Sequence, residues 1–193
     1  MSDNNNPEAV SEKPVSAQRP AALQLLDKII IFSNSIGSVW VFLLVLLVSA
    51  DAAGRTLSFT GFTAPIKGVI ELVEVSIIVI VFTQLADTVR VGRLTRSDGF
   101  LTLMLRRYPT AGQILKLLID CLAALFLLLI LIGAVPLLSE SYERGYFHGD
   151  EGVFTLPDWP GKAIIVYGAT LTLLRFLANV YETISDLKSQ ESQ

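Results

Sequence analysis

An uncharged apolar run from Ile29 to Ala50 (IIIFSNSIGSVWVFLLVLLVSA) constrains this chain more than any other feature. Crossing the hydrocarbon core of a bilayer takes roughly 20 residues of helix, and this run meets that length without a single ionisable group. Three more runs follow: Gly68 to Ala86, interrupted by Glu71 and Glu74; Ile114 to Leu138, with Lys116 and Asp120 near its start; and Ala163 to Tyr181, with Arg175 inside. In lipid the backbone must satisfy its own hydrogen bonds, so each run is expected as a helix. The expected fold is an all-α integral membrane protein with four spans at about 29–50, 68–86, 114–138 and 163–181.

Composition agrees. Of 193 residues, 52% are hydrophobic and 17% charged, where a soluble domain carries about 45–50% and about 25%. The formal net charge of -3 gives no basis for nucleic-acid binding. The single cysteine, Cys121, excludes an internal disulfide framework and reads as a small hydrophobe within its apolar run.

The tail 1–19, rich in Ser, Asn, Pro, Glu and Gln, cannot bury a core and is expected to be a disordered cytoplasmic segment. Residues 20–28 are expected as an interfacial helix leading into a membrane domain at 29–182, with 183–193 as a second cytoplasmic tail. Ala50 and Ala52 imitate a signal-peptide cleavage site, but the apolar stretch exceeds the roughly 7–15 residues of a signal core. Orientation follows from the basic residues. Lys13, Arg19, Lys28, Arg90, Arg93, Arg96, Arg106, Arg107, Lys116, Arg175 and Lys188 fall on the side of the termini, against Arg55, Lys67, Arg144 and Lys162 on the other. The positive-inside rule then places both ends in the cytoplasm.

Between the second and third spans, Ser97 and Asp98 can cap a short helix whose apolar face is Phe100, Leu101, Leu103, Met104 and Leu105. Arg106 and Arg107 suit its C-terminal end and Pro109 stops it, so an interfacial helix on the cytoplasmic leaflet is expected. The loop between the third and fourth spans is acidic and aromatic, with Tyr142, Tyr146, Phe147, Phe154 and Trp159. Such rings serve either as an interfacial belt or as a docking surface.

Charges inside spans require partners or roles. Matching depths pairs Arg55 with Glu71 across the first hairpin and Asp120 with Arg175 across the second. Glu71 and Glu74 share a helix face and are also candidates for carrying a proton, although both lie within about two turns of the helix end. Ser33, Ser35, Gly37 and Ser38 form a small-residue stretch suited to packing against another helix. One histidine, His148, cannot provide paired haem ligation between helices, and no Walker, dinucleotide-binding or zinc-protease spacing occurs. Neither an enzyme nor a cofactor is expected.

Arg55 after the first span, Glu71 entering the second, Arg90-Val91-Gly92 with Asp98 after it, Pro109, then Thr155-Leu156-Pro157 with Trp159 and Gly168 occur in order. Over about residues 25 to 182 this set resembles the small membrane subunit, of DctQ type, of tripartite ATP-independent periplasmic (TRAP) transporters. It departs at Arg93, where many relatives carry His. The resemblance implies a scaffold without chemistry. A periplasmic protein captures an organic acid, a large DctM-type subunit imports it with sodium ions, and the small subunit binds the large one in the bacterial inner membrane. Partner contacts are then expected from Ser33, Ser35, Gly37, Ser38 and Glu74, and from Tyr146, Phe147 and Trp159 of the outer loop, with the periplasmic substrate-binding protein as a further partner. Two rival readings stand beside it: a homo-oligomeric proton-coupled exporter using Glu71 or Glu74, and the anchor of a membrane oxidoreductase.

Overall fold

The computed structural model describes residues 20–57, 68–92, 109–148 and 155–191. The expected tail 1–19 and the expected helix around Ser97 to Arg107 lie outside the described residues. Four helices dominate: α1 (Ala21–Leu57), α2 (Val69–Arg90), α3 (Pro109–Arg144) and α4 (Trp159–Glu191). Two short strands, β1 (Phe147–His148) and β2 (Leu156–Pro157), pair between α3 and α4. All four helices are long and apolar enough to cross a membrane.

Each helix outruns its apolar segment. The 37 residues of α1 make a rod about 55 Å long at 1.5 Å per residue, well beyond a hydrocarbon core of about 30 Å. Residues 21–28 are therefore continuous with the span, and Asp27 and Arg55 lie near the two ends of one helix. Pro109 opens α3, a position where its missing N–H costs nothing.

The helices form an open row rather than a closed bundle. α1 packs on α2, α2 on α4, and α4 on α3, while α1 touches α4 only marginally. Helix association in lipid depends on close packing and polar contacts instead of expulsion of water, and the seams show both. On α1, Ile30, Ser33, Gly37 and Asp51 are buried, with Leu26, Leu44 and Leu47 half-buried between them. These positions step by three and four, the interval of a helix pressed along one neighbour. On α2 the buried set is Val69, Ser76, Val79, Thr83, Ala86 and Val89.

Two glycines set the spacing of the row. A Cβ on Gly37 would lie 2.5 Å from Thr83 Oγ1 and 2.8 Å from Gln84 Cγ. A Cβ on Gly168 of α4 would overlap the Phe82 carbonyl oxygen and lie 2.7 Å from its carbonyl carbon. Next to Gly37, Ser33 Oγ donates to the Thr83 carbonyl oxygen at 3.1 Å, and Thr83 Oγ1 donates to Val79 O at 2.7 Å. The apolar core is correspondingly small: Ile30, Ala86 and Leu171 from three helices, with Leu26 against them.

Candidate functional site

Arg175 is the most deeply placed cation of the described residues, only 4% exposed. Its Nη1 donates to Asp27 Oδ1 at 3.0 Å, and its Nη2 lies 3.9 Å from Glu182 Oε2, about two turns further along α4. The expected direct pair with Asp120 is not what forms. Asp120 is buried and close enough to feel the Arg175 and Lys116 charges, but its Oδ2 has no hydrogen-bond partner among the described residues. The reason is the extra length of α1, which carries Asp27 to α4 at the depth where Arg175 emerges. A guanidinium removed from water costs several kcal/mol unless paired, and the nearest correctly placed carboxylate takes it. Since α1 and α4 barely touch elsewhere, this ion pair is the principal tie between them.

The pairing expected between Arg55 and Glu71 is likewise replaced. Arg55 Nε contacts Asp51 Oδ2 at 2.7 Å on the same helix, one turn back. A same-helix partner requires no second helix to be held in register, and α1 stays helical through Leu57 instead of ending near Ala50. Glu71 is half-buried and Glu74 exposed near the start of α2.

The small-residue stretch of α1 divides. Ser33 and Gly37 are spent within the chain, against Thr83 and Gln84 of α2. Ser35 and Ser38 point away from the row, exposed, their hydroxyls donating to Ile31 O and Asn34 O one turn earlier at 3.0 Å each. Those back-bonds leave both serines compatible with an apolar neighbour. Small residues at 33, 35, 37 and 38 therefore serve two faces, which their composition alone does not separate. The three-and-four stepping of Leu26, Ile30, Ser33 and Gly37 was the signal that distinguishes them.

At the opposite end, α3 closes with Gly145 in the left-handed region (φ 63°). The Tyr146 N–H bonds back to Ser141 O at 3.3 Å, a glycine-dependent helix stop. It turns the chain into β1, whose Phe147 pairs with Pro157 of β2, while the Asp158 N–H donates to Tyr146 O at 2.9 Å. This ribbon brings Tyr142, Tyr146, Phe147 and Trp159 around one cleft of about 380 Å³, also lined by Gly145, Thr155 and Pro157. Tyr142 and Trp159 meet edge to face, centroids 6.0 Å apart at 87°. Lys162 Nζ sits 5.7 Å above the Tyr146 ring and 2.9 Å from Asp158 Oδ2. Sequence spacing brought out these aromatics but not Asp27, Asp51 or Glu182, which lie beyond the uncharged core of the runs.

The arrangement holds and presents helices. The Arg175–Asp27 pair ties α4 to α1, and the outward faces of α1 and α3 are apolar and exposed, including Phe42 and Phe126. Comparison with known proteins points the same way. The family model described as "Tripartite ATP-independent periplasmic transporters, DctQ component" matches residues 44–186. No curated protein and no solved structure matches the chain. The match covers α2, α3, most of α4 and the C-terminal part of α1 from residue 44, which is well over half the sequence, and the chain belongs to the DctQ family of small TRAP transporter permease subunits.

Proposed function

We propose that this subunit is the scaffold of a sodium-coupled importer of organic acids in the bacterial inner membrane, with both termini cytoplasmic. It binds a large DctM-type subunit along the outward face of α1 and meets the periplasmic substrate-binding protein through its aromatic loop. The observation that carries this reading is the open row, in which α1 packs on α2 alone over most of its length. α3 likewise packs on α4 alone, so the choice between the two end helices rests on the residues that each presents.

The stripe Ile31, Ser35, Ser38, Phe42 runs along that face at steps of four, three and four, all four residues exposed. Small hydroxyl residues let a second helix approach closely, which lipid tails do not require. The outward face of α3, by contrast, is Leu122, Phe126, Leu129 and Ile132, every one more than half exposed. That is the surface of a helix facing acyl chains. Organic-acid import and sodium coupling rest on family membership, and the substrate pathway is assigned to the large subunit.

Coexpression with the large subunit tests the reading. A stable complex should survive detergent extraction and purification through a tag on this chain. In proteoliposomes this chain alone should move no organic acid down an imposed sodium gradient. Solute movement by the isolated chain, abolished by Glu71→Gln or Glu74→Gln, would establish the exporter reading instead. Copurification of haem with a soluble redox partner would establish the oxidoreductase anchor.

A further inference from the structure

The cleft between β1, β2 and the start of α4 lies on the loop proposed to meet the substrate-binding protein, and it also has a chemistry suited to a small cation. Four of its lining residues are aromatic, Tyr142, Tyr146, Phe147 and Trp159, and all four are exposed between 41% and 70%. Aromatic faces carry negative quadrupole charge and attract cations within about 6 Å, most strongly when several rings converge. One ring of the cleft already does this, holding the Lys162 ammonium at 5.7 Å. The local charge favours a cation as well. Both described cations of this loop are held by carboxylates, Lys162 by Asp158 and Arg144 by Glu140. Glu143, on the last turn of α3, adds negative charge nearby. At about 380 Å³ the cleft lies within the range of ligand sites, which begins at about 300 Å³.

We propose that this cleft binds the ammonium of a zwitterionic phospholipid headgroup. The location supports a lipid source, because Tyr142 follows the apolar end of α3 by one turn and Trp159 opens α4, which places the rings at the membrane edge. Arg144 supports the zwitterion in particular. Its Nε faces Glu140 Oε1 at 3.3 Å and its Nη1 donates to the Tyr146 hydroxyl at 3.3 Å, but a guanidinium carries five N–H donors and this side chain is 66% exposed, so N–H groups are left for a phosphate beside the cleft. The site is independent of the contact with a large subunit, which is assigned to α1.

The test uses the full chain in detergent with Trp40→Phe, leaving Trp159 as its tryptophan reporter. Tetramethylammonium chloride should change Trp159 emission saturably, and at least fivefold more tightly than its neutral isostere neopentane-like alcohol, 2,2-dimethylpropanol. Tyr146→Leu should remove the response, while Tyr146→Phe, which keeps the ring, should retain it. In nanodiscs of phosphatidylcholine the response to tetramethylammonium should be suppressed by headgroup occupancy, and in phosphatidylglycerol it should persist. Equal affinity for the neutral alcohol, or no saturable change, overturns the cation site. Identical behaviour in the two lipids overturns the lipid source.

Discussion

Replacing Gly168 by alanine tests the row at its narrowest point. The added Cβ would overlap the Phe82 carbonyl oxygen and lie 2.7 Å from both the Phe82 carbonyl carbon and its Cβ. Carbon atoms in ordinary contact stand about 3.5–4.0 Å apart, so α2 and α4 must separate by about 1 Å or α4 must rotate. A gap of that size forfeits about a quarter to a half of each contact along the seam, and overpacked sites lose about 1–3 kcal/mol. Helix propensity works in the other direction, favouring Ala over Gly by about 0.5–1 kcal/mol. Gly133 isolates that opposing effect, because a Cβ there meets nothing within 4 Å. Gly37 should be intermediate, since its obstacles are the side chains of Thr83 and Gln84 and not backbone. The assay is unfolding of the purified protein in mixed micelles of rising SDS fraction, followed by circular dichroism. Gly133→Ala should be neutral or stabilising, Gly37→Ala mildly destabilising and Gly168→Ala the worst of the three. Equal stability of Gly168→Ala and Gly133→Ala would refute the backbone contact between α2 and α4.

The same unfolding assay checks three further expectations. Arg175→Leu should cost about 3–5 kcal/mol, as removal of one member of a buried pair does, and double-mutant cycles should give a larger coupling to Asp27 than to Asp120; equal couplings would contradict the assigned pair. Ser33→Ala should lose about 0.6 kcal/mol, the average for a hydrogen bond between membrane helices, while Ser35→Ala, whose hydroxyl bonds only its own helix, should leave stability unchanged. Arg55→Gln should cost no more than about 0.5 kcal/mol, because its same-helix pair with Asp51 has the guanidinium side chain 56% exposed and solvent screens it.

The four helices were legible because length and apolarity alone decide whether a segment crosses a bilayer, and Ile29 to Ala50 left no alternative. Neighbour relations were harder to see. Depth matching suggested Asp120 for Arg175 and Glu71 for Arg55, yet the partners that form are Asp27 and Asp51. Both errors share a cause. The apolar runs mark where lipid begins, whereas the helices continue about two turns further and bring interfacial carboxylates into reach. Gly168 stood out in the sequence only through a family resemblance, and its role, contact with the Phe82 backbone, depends on a neighbour four elements' choice of packing decides. The aromatic cleft was visible as composition but not as a shape, since Gly145 and the Tyr146 to Ser141 bond determine how the rings converge.

The central claim is that α1 gives its outward face to the large subunit while α3 faces lipid. Photo-crosslinkable benzoylphenylalanine at Phe42 of α1 and at Phe126 of α3 tests it, because these positions are 63% and 64% exposed and differ only in the partner assigned to them. Irradiation of membranes coexpressing both subunits should yield a covalent adduct with the large subunit from position 42 and lipid adducts alone from position 126. An adduct with the large subunit from position 126, with position 42 silent, would contradict the account.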